Sequence, residues 1–505
     1  MALDMSWRDY TTRFFIILPA YCLLQVLFRV VISRGANLDE AGQLLLSQSF
    51  AFGYTYQPPL YTWLQMFFFA IFGINVFSLA LLKNLLLCGT YIFLFLAARL
   101  LLRCSRLAFL TPLSLWLIPQ IAFESYRDLT HSVLVTSVSS ATLYVLLKLL
   151  HTGRTRYYAI LGTLLGLGVL SNYPFVIFAF ALLGAACGQR ELRSRLLDWR
   201  MTLTFGVAAL LVLPHLLWVL YHPDIVIPMT IRRLGFQKGT GRLARALEGL
   251  LKLIWATVRF LTPLWLVYLL LFPRAFIARY AIRTDGTHYR QLLERFFLLV
   301  FGVLVAGVVV LGVAHFKDRW MQPFLFLVPL YAGLRLQGLD IDVGKLRVLA
   351  RVVGLFGLLA LLSPLAHVFV FPLFGTYSRL HIPFAQLAAQ MRAAGFTRGT
   401  IATESLLVAG NLRLVFQDSR VVVPGFTAGN QTPSSRPGGC LVVWDARNSD
   451  SLPEPLQRFL PERLSAPLPS GHAPPRYVEA RLRYSDRKTF RLGVLLFPGG
   501  LGDCR

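Results

Sequence analysis

Long apolar runs, separated by short charged or Pro-containing connections, dominate the first 370 or so residues of this 505-residue chain. The runs are roughly 15 to 24 residues long, and a helix needs about 20 residues to cross the hydrocarbon core of a bilayer. Hydrophobic residues make up 56% of the chain and charged residues only 15%, which exceeds what a soluble core needs. The pattern predicts an α-helical polytopic membrane protein with about eleven transmembrane helices plus interfacial helices. The runs lie at 14–32, 77–101, 107–122, 131–150, 157–171, 174–187, 201–221, 252–273, 296–314, 321–335 and 352–372.

Positive charges set the predicted orientation of these runs. Basic clusters occupy alternate connections, so the positive-inside rule places those connections and the N-terminus in the cytoplasm. The first run has no small-x-small cleavage site after it and is therefore predicted to be a retained signal anchor. Because basic residues cluster in short cytoplasmic loops, where they set orientation and contact anionic headgroups, the net charge of +26 does not make nucleic acid an expected partner.

Composition changes after Phe374, where the long apolar runs stop and Gly, Pro and Ser become frequent. We predict a transmembrane domain at 1–373 and a periplasmic soluble domain at 374–505. A helical pattern at 383–394 and strand-like runs indicate a small α/β domain, expected to shape access or bind the acceptor. Its two cysteines, Cys440 and Cys504, are compatible with a disulfide or with two free thiols. The strand-like runs are 400–403, 414–416, 420–423, 441–444, 477–484 and 489–497.

The acidic pair Asp39 and Glu40 lies just past the outer end of the first run. A single acid at such a place is typically a helix cap or a solvated charge. Two adjacent carboxylates at a membrane exit, followed by the Tyr-Gln-Pro-Pro-Leu-Tyr-Thr-Trp-Leu block at 56–64, favour a chemical role. The stretch between pair and block suits a helix lying in the interface, and the aromatic residues of the block indicate headgroup depth.

Three further polar clusters occupy predicted outer connections. The first contains Glu124, Arg127, Asp128 and His131, and the second contains His315, Lys317 and Arg319. The third is basic, against the positive-inside rule; binding of phosphate or an anionic glycolipid explains it, and a solvated loop is the alternative. Its residues are Arg232, Arg233, Lys238, Arg242 and Arg245. The two histidines are typical of hydrogen-bonding residues at helix ends, with metal ligation as the alternative.

Together these features make the chain resemble the GT-C superfamily of membrane glycosyltransferases. Within it, the chain is similar to the family-39 group of protein O-mannosyltransferases and the lipid A aminoarabinose transferase. The resemblance covers about the first 370 residues. It is carried by Asp39 and Glu40, the 56–64 block, the Phe-Gly-Ile-Asn segment at 72–75, Asp128 and the 315–323 segment. It implies inverting transfer of a sugar from a polyprenyl-phosphate donor to an envelope acceptor, lipid A or lipopolysaccharide core, at the periplasmic face of the bacterial inner membrane.

The resemblance also implies roles for individual residues. Asp39 matches the catalytic carboxylate, acting as general base or orienting group for the acceptor, and Glu40 would support it. Asp128 matches a second catalytic acid that orients substrate, binds acceptor or joins a divalent-cation site in relatives that use metal. The expected donor- and phosphate-binding residues are Lys317, Arg319, Arg232, Arg233, Gln57 and Tyr61. The expected acceptor-binding residues are Glu124, Arg127 and His315.

Gln57 and Gly42 depart from the aminoarabinose branch, which has Lys and Arg at these places. The Asp39 to Gln43 run, with the 57–64 block, looks more like glycolipid-modifying relatives, some of which are galacturonosyltransferases. A transporter or flippase of a lipid-linked sugar and a protein O-glycosyltransferase are the alternatives. A transporter is expected to show internal repeats and mid-membrane polar groups, and neither is clear in this sequence. A non-catalytic scaffold leaves Asp39 and Glu40 unexplained.

Overall fold

The computed structural model describes most of the chain. The described residues are 6–55, 57–234, 241–277, 287–337, 339, 341–426, 438–447, 450–466 and 475–504, and the side chains of 232–234, 242, 277 and 287 lie outside this description.

Helices account for most of the described residues, in agreement with the predicted fold class. The α-helices are α1 Trp7–Ile32, α2 Leu38–Leu46, α3 Leu60–Phe72, α4 Val76–Leu101, α5 Ser105–Leu113, α6 Ser125–Arg127, α7 His131–Thr152, α8 Thr155–Ser171, α9 Phe175–Cys187, α10 Arg190–Leu196, α11 Met201–Tyr221, α12 Pro223–Leu234, α13 Arg242–Leu261, α14 Leu264–Leu271, α15 Pro273–Ile277, α16 Thr287–Leu311, α17 Gln322–Leu325, α18 Val328–Leu336, α19 Val343–Leu365, α20 Phe384–Ala393, α21 Leu406–Val415 and α22 Glu454–Leu464. Short 3₁₀ or π segments lie at Ser114–Leu117, Gln120–Glu124, Asp318–Met321, Ala366–Val370, Phe371–Phe374 and Arg379–His381.

Within the described part of the chain, 6 helices are long and apolar enough to cross a membrane, or up to 9 if each of three bent pairs is one span. This number is smaller than the about eleven runs in the sequence. The run at 157–171 forms α8, which has only 17 residues. The run at 321–335 is divided between α17 and α18, each with a proline in its first turn. Since proline lacks an N–H and obstructs the preceding turn, a helix tends to begin there rather than continue through it.

The chain separates into two compact units. The first comprises Met1–Gln25, Tyr56–Leu60 and Lys83–Leu361. Within it, α8 packs closely on α11: a Cβ added to Gly162 would lie 2.4 Å from the backbone oxygen of Thr204. Glycine therefore lets the two helix backbones approach, as is typical of packing between membrane helices.

The second unit comprises Val26–Thr55, Tyr61–Leu82 and Leu362–Arg505, so two early segments belong to the same unit as the C-terminal region. The predicted boundary at residue 373 stays a prediction. The strands of the second unit are β1 Gly399–Thr403, β2 Arg420–Val422, β3 Gly439–Asp445, β4 Arg476–Arg481 and β5 Thr489–Phe497. They form a 5-stranded sheet in the order β2-β1-β3-β5-β4. The β2, β1 and β3 strands are parallel, and β5 runs antiparallel to both β3 and β4.

Each face of this sheet carries its own core. Ile401 and Val443 pack with α20 and α21 on one face, whereas Val442 and Trp444 pack with α22 on the other. The alternation follows from the two-residue period of a strand. Cys440 and Cys504 lie in the second core and form a disulfide. Of the two states compatible with the sequence, a disulfide and two free thiols, the structure has the first.

Five of the six runs predicted to be strands lie on strands, and the prediction for the sixth is wrong. The run at 414–416 was predicted to be a strand, but its first two residues form the end of α21. Short apolar runs do not distinguish a strand from a buried helix. Here Val408 and Leu412, one turn apart, pack into the sheet core, so tertiary packing favours the helix.

Candidate functional site

The acidic pair occupies the first turn of α2, which begins after Asn37. Asn37 has extended backbone, and the carboxylate of Glu40 accepts a hydrogen bond from its N–H at 2.9 Å. In return, the side chain of Asn37 accepts a hydrogen bond from the backbone N–H of Glu40. This reciprocal pair of bonds is a capping box, which satisfies backbone donors that a helix start leaves without partners. The local sequence therefore fixes where α2 starts and places Asp39 in its first turn, where the helix dipole stabilises a carboxylate.

A buried ion pair holds Glu40 in place. Arg29, in the last turn of α1, donates from Nη2 to Oε2 of Glu40 at 2.6 Å, and the two side chains are only 9% and 1% exposed. Arg29 also donates to the carbonyl oxygens of Ser33 and Gly35, at 3.0 and 2.8 Å. One guanidinium thus neutralises Glu40 and fixes the turn between α1 and α2. Sequence reasoning missed Arg29; its signal is a lone arginine near the end of an apolar run.

The two carboxylates of the pair have different surroundings. Glu40 is buried, pairs with Arg29 and accepts a hydrogen bond from the N–H of Asn37, whereas Asp39 is only partly buried. With its side chain only 1% exposed, Glu40 holds the start of α2 and offers almost no surface to a ligand. Asp39 is the carboxylate of the pair that a substrate can reach.

The first turn of α3, a helix too short to be a candidate span, adds Tyr61 and Thr62 to this group. Tyr61 is buried, and burial raises its pKa, with the negative charges of Glu40 and Asp39 raising it further. Its hydroxyl therefore stays protonated at neutral pH and is able to donate a hydrogen bond. The Thr62 hydroxyl donates to Oε1 of Gln43 on α2 at 2.9 Å, which ties the start of α3 to α2. The predicted residues Asp39, Glu40 and Tyr61 thus lie together.

The second acidic cluster lies in the first unit. Arg127 and Glu124 form an ion pair at 2.6 Å, with side chains 52% and 32% exposed. Asp128 follows directly and is partly exposed, and its N–H donates to the carbonyl of Glu124 at 2.9 Å. The ring of the buried His131 lies 3.2 Å from the carbonyl of Ser171 through Nδ1, which fits the hydrogen-bonding interpretation of this histidine. The structure brings this predicted cluster together.

The third predicted group spans the connection after α16. His315 and Lys317 are exposed and Arg319 is partly buried. Asp318, between the two cations, pairs with Arg259 of α13 at 3.3 Å, a partner that the sequence did not indicate because it lies in a different apolar run. Gln57, in the first unit, is partly buried just before Pro58 and Pro59.

Two predictions concerning ligands stay open. The side chains of Arg232 and Arg233, at the end of α12, and the whole of Lys238 lie outside the described residues. In the part of the chain that the structure describes, there is no group of three or more His, Cys, Asp or Glu that could hold a metal ion. The divalent cation stays a prediction.

Comparison with known proteins connects this geometry to a family. A family model described as dolichyl-phosphate-mannose-protein mannosyltransferase matches residues 56–218. The chain is 33% identical over 476 residues to the lipopolysaccharide core galacturonosyltransferase RgtB of Rhizobium johnstonii, covering 93% of each protein. It is 31% identical over 456 residues to the lipopolysaccharide core galacturonosyltransferase RgtA of the same organism, covering 90% of each.

A solved structure shows the same fold. The crystal structure of ArnT from Cupriavidus metallidurans bound to undecaprenyl phosphate superposes with a TM-score of 0.62 at 14% identity, covering 96% of this chain and 98% of ArnT. The predicted fold class, a multi-pass GT-C protein with a small C-terminal α/β part, is confirmed, and so is the prediction of a glycosyltransferase. The chain belongs to the GT-C family of membrane glycosyltransferases that includes the lipopolysaccharide core galacturonosyltransferases.

Proposed function

We propose that this enzyme transfers galacturonic acid from a polyprenyl-phosphate donor to the lipopolysaccharide core, at the periplasmic face of the inner membrane. The observation that carries the proposal is the arrangement of the acidic pair: Glu40 is buried and paired with Arg29, whereas Asp39 is only partly buried. We therefore assign the contact with substrate to Asp39. The names of RgtA and RgtB, matched over at least 90% of this chain, support the choice of sugar and acceptor.

In the proposed reaction Asp39 acts as general base. It accepts the proton of an acceptor hydroxyl as the hydroxyl oxygen attacks the anomeric carbon of the donor sugar. The bond between that carbon and the phosphate oxygen breaks, and the polyprenyl phosphate leaves with the electron pair, inverting the anomeric centre. Tyr61 is a hydrogen-bond donor beside the two carboxylates. It would help to orient the carboxylate of Asp39 or the hydroxyl that Asp39 deprotonates.

The leaving phosphate gains negative charge as the bond breaks, so its stabilisation needs cations. Lys317 is exposed, and Arg319 carries a fixed charge in the same connection. We assign the phosphate to these two residues and to Gln57. A uronic acid brings an additional carboxylate, for which Arg232 and Arg233 of α12 are the proposed partners. Glu124, Arg127, Asp128 and His315 are the proposed acceptor contacts.

We further propose that the N-terminus is cytoplasmic and that the domain at 374–505 is periplasmic. The positive-inside pattern supports this orientation. The Cys440–Cys504 disulfide supports it independently, because disulfides persist in oxidising compartments such as the periplasm.

The test combines cells and purified protein. Mass spectrometry of lipopolysaccharide and of polyprenyl-phosphate sugars compares cells lacking the enzyme with cells producing wild type or Asp39→Asn, after checking membrane insertion. We expect loss of one hexuronic acid residue from the core and accumulation of the lipid-linked donor in both the deletion and the Asp39→Asn cells. Purified wild type in detergent should form the glycosidic bond from added donor and acceptor. A flippase would form no glycosidic bond in detergent. With a protein as the acceptor, the transferred sugar would be found in the protein fraction instead of the lipopolysaccharide.

A further inference from the structure

We infer that the C-terminal α/β region positions the catalytic carboxylate, with Asn411 of α21 as the positioning residue that fixes the start of α2. This inference rests on the proposed role of Asp39. It assigns to the region a part in the chemical step, beyond the predicted part in access or acceptor binding.

The first observation is the pairing of Asn411 with the backbone just before α2. Its Oδ1 accepts from the N–H of Ala36 at 2.8 Å, and its Nδ2 donates to the carbonyl of Ala36 at 3.1 Å. The same Nδ2 donates to the carbonyl of Leu407, one turn back on α21, at 2.8 Å. Asn411 is 1% exposed, so water does not replace these bonds. One side chain thus holds both backbone groups of a residue three positions before Asp39.

Close contact between two helices is the second observation. A Cβ added to Gly410 would lie 2.3 Å from Cα of Ala41, so α21 and α2 touch at two small residues. Leu45 of α2 belongs to the same core as Val408 and Leu412 of α21. The helix that carries Asp39 is therefore packed as part of the α/β core, which fixes its distance from α21.

The third observation is a clamp at the other end of α2. The side-chain amide of Gln48 donates to the carbonyl of Val421 at 2.9 Å and accepts from the N–H of Val421 at 2.8 Å. Val421 lies in β2, an edge strand of the sheet whose outer backbone groups would otherwise lack partners. Bonds to α21 and β2 thus hold both ends of α2, and Arg29 adds a third attachment from α1.

A catalytic carboxylate needs this kind of support. Misplacement by about 1 Å can lower a rate about a hundredfold without changing which groups are present. Asn411→Ala removes three hydrogen bonds and leaves the N–H and carbonyl of Ala36 buried without partners. The start of α2 would then shift and change the position of Asp39. The proposed donor-binding residues Lys317 and Arg319 would keep their positions, because Asn411 does not hold them.

The experiment measures kcat and KM with purified full-length protein, a polyprenyl-phosphate galacturonic acid donor and a lipopolysaccharide acceptor. For Asn411→Ala we expect kcat to fall about ten- to a hundredfold with the donor KM within about twofold of wild type. The matched control is Gln417→Ala. The exposed amide of Gln417, just after α21, donates to the carbonyl of Ile74 at 2.9 Å, so this variant also removes a long-range bond. Its kcat should stay at the wild-type value.

A double variant separates positioning from general damage. If Asn411 acts through Asp39, then Asn411→Ala in an Asp39→Asn background adds no further loss of kcat. An additive loss, or a folded Asn411→Ala with wild-type kcat, would overturn the inference. If Asn411→Ala does not fold, Gln48→Ala decides by the same readout: a lowered kcat supports the inference and a wild-type kcat overturns it. An active Asp39→Asn instead overturns the proposed function, whereas an inactive Asp39→Asn with normal kcat in Asn411→Ala overturns only the inference.

Discussion

The two acidic clusters contain ion pairs of the same length in opposite surroundings. Arg29 meets Glu40 and Arg127 meets Glu124, each at 2.6 Å. The first pair is 9% and 1% exposed, and the second is 52% and 32% exposed. The second pair contributes little to stability, because solvent screens its charges and holding two long side chains in one geometry costs conformational entropy. In the first pair, loss of one partner leaves an uncompensated buried charge.

This difference in exposure determines which of the acids a ligand can contact. Glu40 fixes the fold around Asp39 and has no surface for a substrate, whereas Glu124 and Arg127 keep exposed surface that an acceptor can contact. Burial thus separates an acid that supports the fold from acids that a ligand can contact. Three substitutions test this comparison.

The largest effect is expected for Glu40→Gln. This change leaves the guanidinium of Arg29 buried without its counter-charge, and we expect a loss of about 3–5 kcal/mol in the free energy of unfolding. Thermal unfolding of the detergent-solubilised protein measures it. The paired variant Arg29→Met with Glu40→Leu removes both charges and should recover much of that stability without restoring activity. An unfolding temperature for Glu40→Gln equal to wild type would show that the pair is not buried as described.

An intermediate effect is expected for the pair Arg200 and Asp198, at 2.6 Å with side chains 24% and 18% exposed. Hydrogen bonds from the Arg200 side chain and backbone N–H lower the pKa of Asp198 from 3.8 to about 2. The unfolded chain therefore binds the proton more tightly than the folded chain. The stabilisation is complete above about pH 4 and is lost as pH falls towards about 2.

Unfolding temperatures of wild type and Asp198→Asn across this range measure the effect. The advantage of wild type at neutral pH should shrink on acidification. An advantage that is constant down to the lowest pH would mean that the charge of Asp198 does not contribute.

The smallest effect on stability is expected for Glu124→Gln. Since this pair is exposed, its removal should change the free energy of unfolding by less than about 1 kcal/mol. If Glu124 contacts the acceptor, the acceptor KM should rise with donor KM unchanged. A stability loss as large as that of Glu40→Gln would break the comparison between the two clusters.

The sequence was sufficient for those features that local patterns determine. Apolar runs gave the membrane class, and alternating apolar residues gave five strands of the C-terminal sheet. The short run at 414–416 was misassigned, since its helical state depends on Leu412 packing against strands that are distant in sequence. Where prolines divide an apolar run into short helices, the described part of the chain has fewer helices of spanning length than the sequence has apolar runs.

Long-range pairing accounts for what sequence reasoning missed in the site. Asp39 and Glu40 were found because two carboxylates at a membrane exit are unusual. Arg29 is only 11 positions from Glu40, yet their pairing depends on the turn between α1 and α2. Asn411 is 375 positions from Ala36, and no local pattern distinguishes it from any other polar residue on a helix. Such contacts are consequences of the fold.

The most direct test of the central claim is the transfer rate of purified Asp39→Asn at saturating donor and acceptor. Asparagine keeps the size of the side chain but cannot accept the proton of the acceptor hydroxyl. With Asp39 as the general base, the rate should fall about 10²–10⁴-fold while the unfolding temperature stays at the wild-type value. A folded Asp39→Asn protein with a rate within about threefold of wild type, far outside the range expected for loss of a general base, would contradict the account.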